Sequence, residues 1–209
     1  MFTLYHGPGT CSLAVKAALA LTGKSFTTES LNMAEGEHLS ADFKIISPLG
    51  KVPALRLNQE DDAEVLTEGS AILLYLASRF PEANLMPATG TVAYGAALKW
   101  MQVLYATIHP HWGRLFFPER YGNDANSIRD AAETEIHTLY GLIEAQLANH
   151  PYVAGDALTL ADLYLMVSIH WQGALQQPLS DQFPTITAYQ QRMYNEPTIG
   201  QLYRDEFGA

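Results

Sequence analysis

The chain has 209 residues, 48% of them apolar, which is enough for one large domain or two small ones around a real core. A net charge of −10 excludes nucleic acid and anionic membrane surfaces as natural partners. One cysteine excludes an internal disulfide, the N-terminus lacks the pattern of a secretion signal, and no apolar run is long enough to span a bilayer, so the expectation is a soluble cytoplasmic protein.

Phe2 to His6 reads as a short strand, Gly7-Pro8-Gly9 as a turn, and the Ala/Leu-rich run that follows as a helix stopped by Gly23. Phe26 to Leu31 reads as a second strand, completing a βαβ unit whose right-handed crossover makes the two strands parallel. Cys11, the only cysteine, falls where the helix begins. Unpaired N–H groups and the positive end of the helix dipole favour thiolate there, so Cys11 is a candidate reactive group, against the plainer reading of a small buried apolar residue.

Residues 32 to 47 read as a loop and an irregular helical turn. In Ser47-Pro48-Leu49-Gly50-Lys51-Val52-Pro53-Ala54-Leu55-Arg56-Leu57 a proline stands at the threshold of an alternating strand. Two readings stay open: an ordinary trans proline starting an edge strand, or a cis Val52–Pro53 bond that leaves the Val52 backbone to pair with an extended, peptide-like ligand. Asn58 to Asp62 reads as a polar loop and Glu64 to Thr67 as the return strand of a hairpin. Glu68-Gly69-Ser70 then precedes an apolar helix that Ser70 or Glu68 would cap, and its N-terminus would seat a carboxylate.

Two prolines and a glycine mark residues 81–91 as a linker between a first domain, 1–80, and an all-α second domain, 92–209. Its first helix runs from about Val92 to Phe117, with a kink expected at Pro110, and the second from about Ala125 to Ala148. Thr159 and Asp162 have capping-box spacing ahead of the very apolar run expected to be the domain's central helix. Two shorter helices, near Thr185 to Tyr194 and Thr198 to Tyr203, close the chain. His109 and His111 are two apart on a helix and point to different faces, so no metal is expected.

In this order, Gly9-Thr10-Cys11-Ser12, the Ser47 to Leu55 segment, Leu66 to Ile72 and Tyr152 to Asp162 resemble the glutathione S-transferases, most closely the bacterial beta class with its cysteine. The resemblance implies an α+β fold: a thioredoxin-like βαβ-ββα domain that binds glutathione, followed by an all-α helical domain. It implies glutathione as co-substrate, with catalysis by Cys11 and His109. Conjugation to small apolar electrophiles, in the sense of detoxification, or exchange of mixed disulfides through Cys11, would be the activity. The Val52 backbone beside a cis Pro53 would pair with the cysteinyl part of glutathione, and Glu68, Gly69 and Ser70 would hold its γ-glutamyl end. Gln102, Ala106, Thr107 and His109 would approach from the α domain. Tyr105, Trp112 and Phe116, with His6 and Trp171 as weaker candidates, would wall the hydrophobic site. A homodimer is implied as well.

The chain also departs from the family pattern. Pro110 stands where relatives carry a lysine after the histidine, and Glu35 or a neighbour replaces a second lysine, with Lys51 and Arg114 as possible substitutes. Weaker glutathione binding is the expected consequence. The rival reading is a non-catalytic ligand-binding or protein-interaction module on the same fold.

Overall fold

A computed structural model describes residues 1–57 and 64–208 of the chain, so the expected loop from Asn58 to Asp62 lies outside the described residues. The chain divides into two compact units, Met1–Met86 with Glu196–Ala209, and Pro87–Asn195.

The first unit contains β1 (Phe2–His6), α1 (Ser12–Leu21), β2 (Phe26–Ser30), α2 (Ala41–Ile46), β3 (Ala54–Arg56), β4 (Val65–Thr67) and α3 (Gly69–Arg79). Its sheet has the order β2-β1-β3-β4. β1 and β2 are parallel, with Phe2 opposite Phe26 and His6 opposite Ser30, as the βαβ reading requires. β3 returns antiparallel to β1 and pairs antiparallel with β4 as the expected hairpin. The strand period of two sends Leu4 and Tyr5 to opposite faces. The main core holds Leu4, Leu13, Leu55, Ile72, Leu73 and Leu76, all without exposed surface. Tyr5 joins Phe43 of α2 and Ala54 in a smaller cluster, with Val52 and Val65 packed at its edge.

The second unit is helical: α4 (Val92–Gln102), a π-helical segment (Val103–Ile108), α5 (His109–Phe116), α6 (Ala125–Leu147), α7 (Leu160–His170) and α8 (Pro184–Met193). Thr91 and Asp124 cap α4 and α6 by accepting the N–H groups of Tyr94 and Ser127, both at 3.1 Å. α7 is buried along Leu160 to Ile169, which makes it the central helix. The capping box forms as its spacing predicted, with the Thr159 N–H donating to Asp162 Oδ2 at 2.8 Å. Asp162 does more than cap, since its Oδ1 also accepts from the Val153 N–H (2.9 Å) and the Tyr189 hydroxyl (3.0 Å).

The irregularity expected at Pro110 lies one turn earlier. Proline has no N–H to return to the Ala106 carbonyl, and the helix widens ahead of it, with the His109 N–H reaching back to the Leu104 carbonyl. Pro110 itself sits in the first turn of α5, where a missing donor costs nothing. Among the described residues no helix is long and apolar enough to cross a membrane.

The last segment departs most from the order of the chain. A terminal helix, Gly200–Phe207, belongs to the first unit and not to the helical unit that immediately precedes it. Ile199, just before it, and Tyr203 within it are buried.

Candidate functional site

The β1–α1 turn is built from its own polar groups. The Gly7 N–H donates to Ser12 Oγ at 3.1 Å, the Thr10 hydroxyl to the Gly7 carbonyl at 2.7 Å, and Ser12 Oγ lies 2.7 Å from His6 Nδ1. A side chain on Gly7 would meet the Met33 sulfur at 2.7 Å, so this glycine admits the close approach of the β2–α2 loop. Cys11 follows the turn as the residue flanking α1, partly exposed.

The Cys11 thiol donates to the Val52 carbonyl at 3.6 Å. Val52 precedes the ladder, which starts at Ala54, and is joined to Pro53 by a cis peptide bond. The resting sulfur is therefore a neutral thiol. Burial pushes it up to about 12, against the lowering effect of its own backbone N–H, while the charge of Glu68 raises it and that of Lys51 lowers it. This corrects the expected thiolate, because desolvation outweighs the helix N-terminus at this position. Cys11, Lys51, Val52 and Glu68, named from three separate stretches of sequence, are thus brought together.

Glu68 stands between β4 and α3 with φ 66°, a left-handed value that costs a non-glycine residue on the order of 1 kcal/mol. Neither it nor Ser70 caps α3 through a side chain, contrary to expectation. The first helical bond runs from the Ile72 N–H to the Glu68 carbonyl at 3.0 Å, so the N–H groups of Gly69, Ser70 and Ala71 have no intrahelical partner and form a seat for a carboxylate. Gly69 and Pro53 are buried, Ser70 and Val52 partly so, while Lys51 and Glu68 are exposed.

In the second unit, His109 opens α5 and its Nδ1 is hydrogen-bonded to the Tyr164 hydroxyl. Tyr164 stacks on Tyr105 with ring centroids 3.9 Å apart, and Trp171 lies 5.3 Å from the His109 ring. Gln102, Ala106, Thr107 and Phe116 are exposed and Tyr105 is half-buried. Trp112 is fully buried between Tyr140 and Phe116, a core residue and not a surface for a second substrate. Helical period gives a wall residue and a core residue the same spacing, which is why the sequence did not separate them.

His6 is likewise corrected. It is 1% exposed, and its Nε2 lies 2.9 Å from Glu206 Oε1. Glu206 also accepts the Gly9 N–H at 2.8 Å and pairs with Lys16 at 3.6 Å. Sequence reading missed Glu206, since nothing in a terminal amphipathic helix signals a partner near residue 9. It also missed His38, from the turn packed on Gly50, whose buried Nδ1 has no hydrogen-bond partner among the described residues.

Comparison with known proteins identifies the family. Residues 1–78 match the family model "Glutathione S-transferase, N-terminal domain" and residues 88–197 match "Glutathione S-transferase, C-terminal domain". A glutathione S-transferase of Xanthomonas campestris pv. campestris is 32% identical over 200 residues, covering 94% of each chain. The solved structure of a sphingomonad glutathione S-transferase complexed with glutathione is 30% identical, with a TM-score of 0.83 over 99% of this chain and 100% of that one. A bacterial beta-class glutathione S-transferase from Sphingomonas chungbukensis is 32% identical, also with a TM-score of 0.83, over 98% of each chain. The chain belongs to the glutathione S-transferase family.

Proposed function

We propose that this glutathione transferase works as a beta-class enzyme in which Cys11, as a neutral thiol, hydrogen-bonds the glutathione sulfur. The observation that carries the reading is the Cys11–Val52 contact, which holds an S–H beside a backbone edge outside the ladder. Glutathione laid along Val52 brings its own sulfur to that S–H as a better acceptor than a carbonyl, because a hydrogen bond to a charged group is stronger. The bound thiolate is stabilised, attacks the electrophilic carbon, forms the C–S bond and expels the leaving group, while the glutathione proton passes to solvent. The N–H groups of Gly69 and Ser70 hold the γ-glutamyl carboxylate and Glu68 accepts from its ammonium. Lys51 faces the negative end of the ligand.

His109 is assigned to the same chemistry. Tyr164 fixes its ring, and Tyr105 beside it, with the exposed Phe116 later in α5, offers apolar surface to a small electrophile. Transfer is favoured over thiol exchange because exchange needs a thiolate, and burial keeps Cys11 protonated. The likeness to beta-class enzymes carries with it a homodimer, read by light scattering.

The deciding experiment titrates wild type and Cys11→Ala with glutathione, following ultraviolet thiolate absorbance of the bound ligand, alongside conjugation of a chloronitrobenzene. Saturable binding in both, with the bound thiol ionising about one pH unit higher in Cys11→Ala, is expected. Identical ionisation in the two proteins would remove Cys11 from the mechanism, and no saturable binding in either would sink the glutathione site.

A further inference from the structure

The long helix α6 carries Asp130, Glu133 and His137 at the three- and four-residue spacings that bring side chains into line on one face. Against them lies the connection from α7 to α8, residues 171–183, with 3-10 turns at Trp171–Ala174 and Leu179–Asp181. Leu175 and Leu179 bury its apolar side. Its polar contacts go to that face of α6. Gln176 Nε2 donates to Asp130 Oδ1 at 3.1 Å, the Gln177 N–H donates to Glu133 Oε1 at 3.0 Å, and His137 Nε2 meets the Gln177 carbonyl at 2.9 Å. Both backbone groups of Gln177 are therefore held by side chains of one helix, and Gln182 Nε2 donates to its side-chain carbonyl at 2.8 Å.

The other His137 nitrogen is committed as well. Nδ1 lies 2.9 Å from the Glu133 carbonyl, one turn back. A carbonyl oxygen can only accept, so each ring nitrogen must carry a proton, and only the imidazolium does that. A neutral ring would turn a lone pair on one carbonyl oxygen and lose that bond. The nearby charges suit a cation, since Glu133 and Asp130 stand one and two turns back on α6 and Asp181 ends the second 3-10 turn. The Phe183 ring, just before α8, lies 6.4 Å from the His137 ring. α8 itself has one charged side chain, Arg192, bonded to the Pro151 carbonyl, and its Tyr189 donates to Asp162. On α5 the titratable groups are His109, His111 and Arg114, with the charge of Glu135 of α6 acting on His111.

We propose that His137 is a proton-operated latch: its imidazolium docks residues 171–183 onto α6, and loss of the proton releases the segment at Gln177. The segment begins at Trp171, whose ring lies 5.3 Å from that of His109, so the latch also sets how firmly that aromatic wall is held. As pH rises through roughly 5 to 8, where histidine ordinarily changes charge, the segment passes from docked to loose. The latch lies wholly within the helical unit and does not rest on the glutathione reading.

Nitrogen-15 NMR of the full chain across about pH 5 to 8.5 tests the latch, on wild type and His137→Gln. Both ring nitrogens of His137 should show imidazolium shifts at the acid end. The Gln177 amide protection factor, which is corrected for the intrinsic pH dependence of exchange, should fall about tenfold to a hundredfold with the midpoint of the His137 ring. The Trp171 indole should show that same midpoint in addition to the response to its neighbour His109. In His137→Gln, with its fold checked by circular dichroism, Gln177 protection should be low at every pH and that component of the indole shift should be gone. A neutral His137 ring at the acid end, constant Gln177 protection in wild type, or the wild-type pH dependence persisting in His137→Gln would overturn the latch. An indole that lacks the His137 midpoint would overturn its reach to Trp171. If the variant does not fold, the coincidence of the ring and Gln177 midpoints in wild type decides alone.

Discussion

Glu206 accepts the Gly9 N–H at 2.8 Å, so a carboxylate 197 positions along the chain closes the turn that presents Cys11. The same side chain meets His6 and Lys16, and the terminal helix is thereby tied to both β1 and α1. Burial alone would raise the Glu206 carboxyl, but hydrogen bonds from His6 and Gly9, with the charges of His6 and Lys16, hold it below its usual range.

Glu206→Gln should therefore destabilise the protein by about 1–3 kcal/mol at neutral pH, read by urea unfolding. A depressed carboxyl contributes stability that is complete above its unfolded value and lost as pH falls through the lower folded one. Wild type and variant should accordingly converge in acid, below the ordinary glutamate range. A constant difference down to strong acid would show that the contact acts through packing alone.

Cys11 should alkylate slowly at neutral pH in the ligand-free protein. Its rate with iodoacetamide should climb about tenfold per pH unit and show no plateau near 9, the value of an ordinary thiol, because burial lifts this one to about 12. Glu68→Gln removes a charge that raises the thiol and should speed alkylation, and Lys51→Gln should slow it. A plateau between pH 7 and 9 would restore the thiolate and, with it, thiol exchange.

Tyr164→Phe removes the hydroxyl bonded to His109 while keeping the ring stacked on Tyr105. If His109 takes part in transfer, kcat should fall about tenfold with glutathione affinity unchanged. Equal kcat in the two proteins would reduce His109 to a packing residue.

Asp162→Ala strips the acceptor from the Val153 N–H, the Thr159 N–H and the Tyr189 hydroxyl, all buried in the helical unit. Buried donors left unpaired cost about 1–3 kcal/mol each, so a total of at least about 3 kcal/mol is expected by chemical denaturation. A loss near 1 kcal/mol would mean that the carboxylate only caps α7.

What the sequence determined by itself is local. Periodicity and turn chemistry fixed β1, α1, β2, the hairpin and the capped α7, because strand alternation, glycine stops and a Thr–Asp box act within a few residues. The motif order carried the family and, through it, the reading of Cys11, Val52 and Glu68. Tertiary structure decided the rest, where the outcome depends on groups distant in sequence. A thiol that a helix N-terminus would ionise stays protonated because burial of the sulfur outweighs the groups that would lower it. Trp112 is core because Tyr140 and Phe116 close over it, and His6 is structural because Glu206 arrives from the far end of the chain. Local pattern records which face of a helix is apolar; only the folded chain determines what that face meets and how much water remains there.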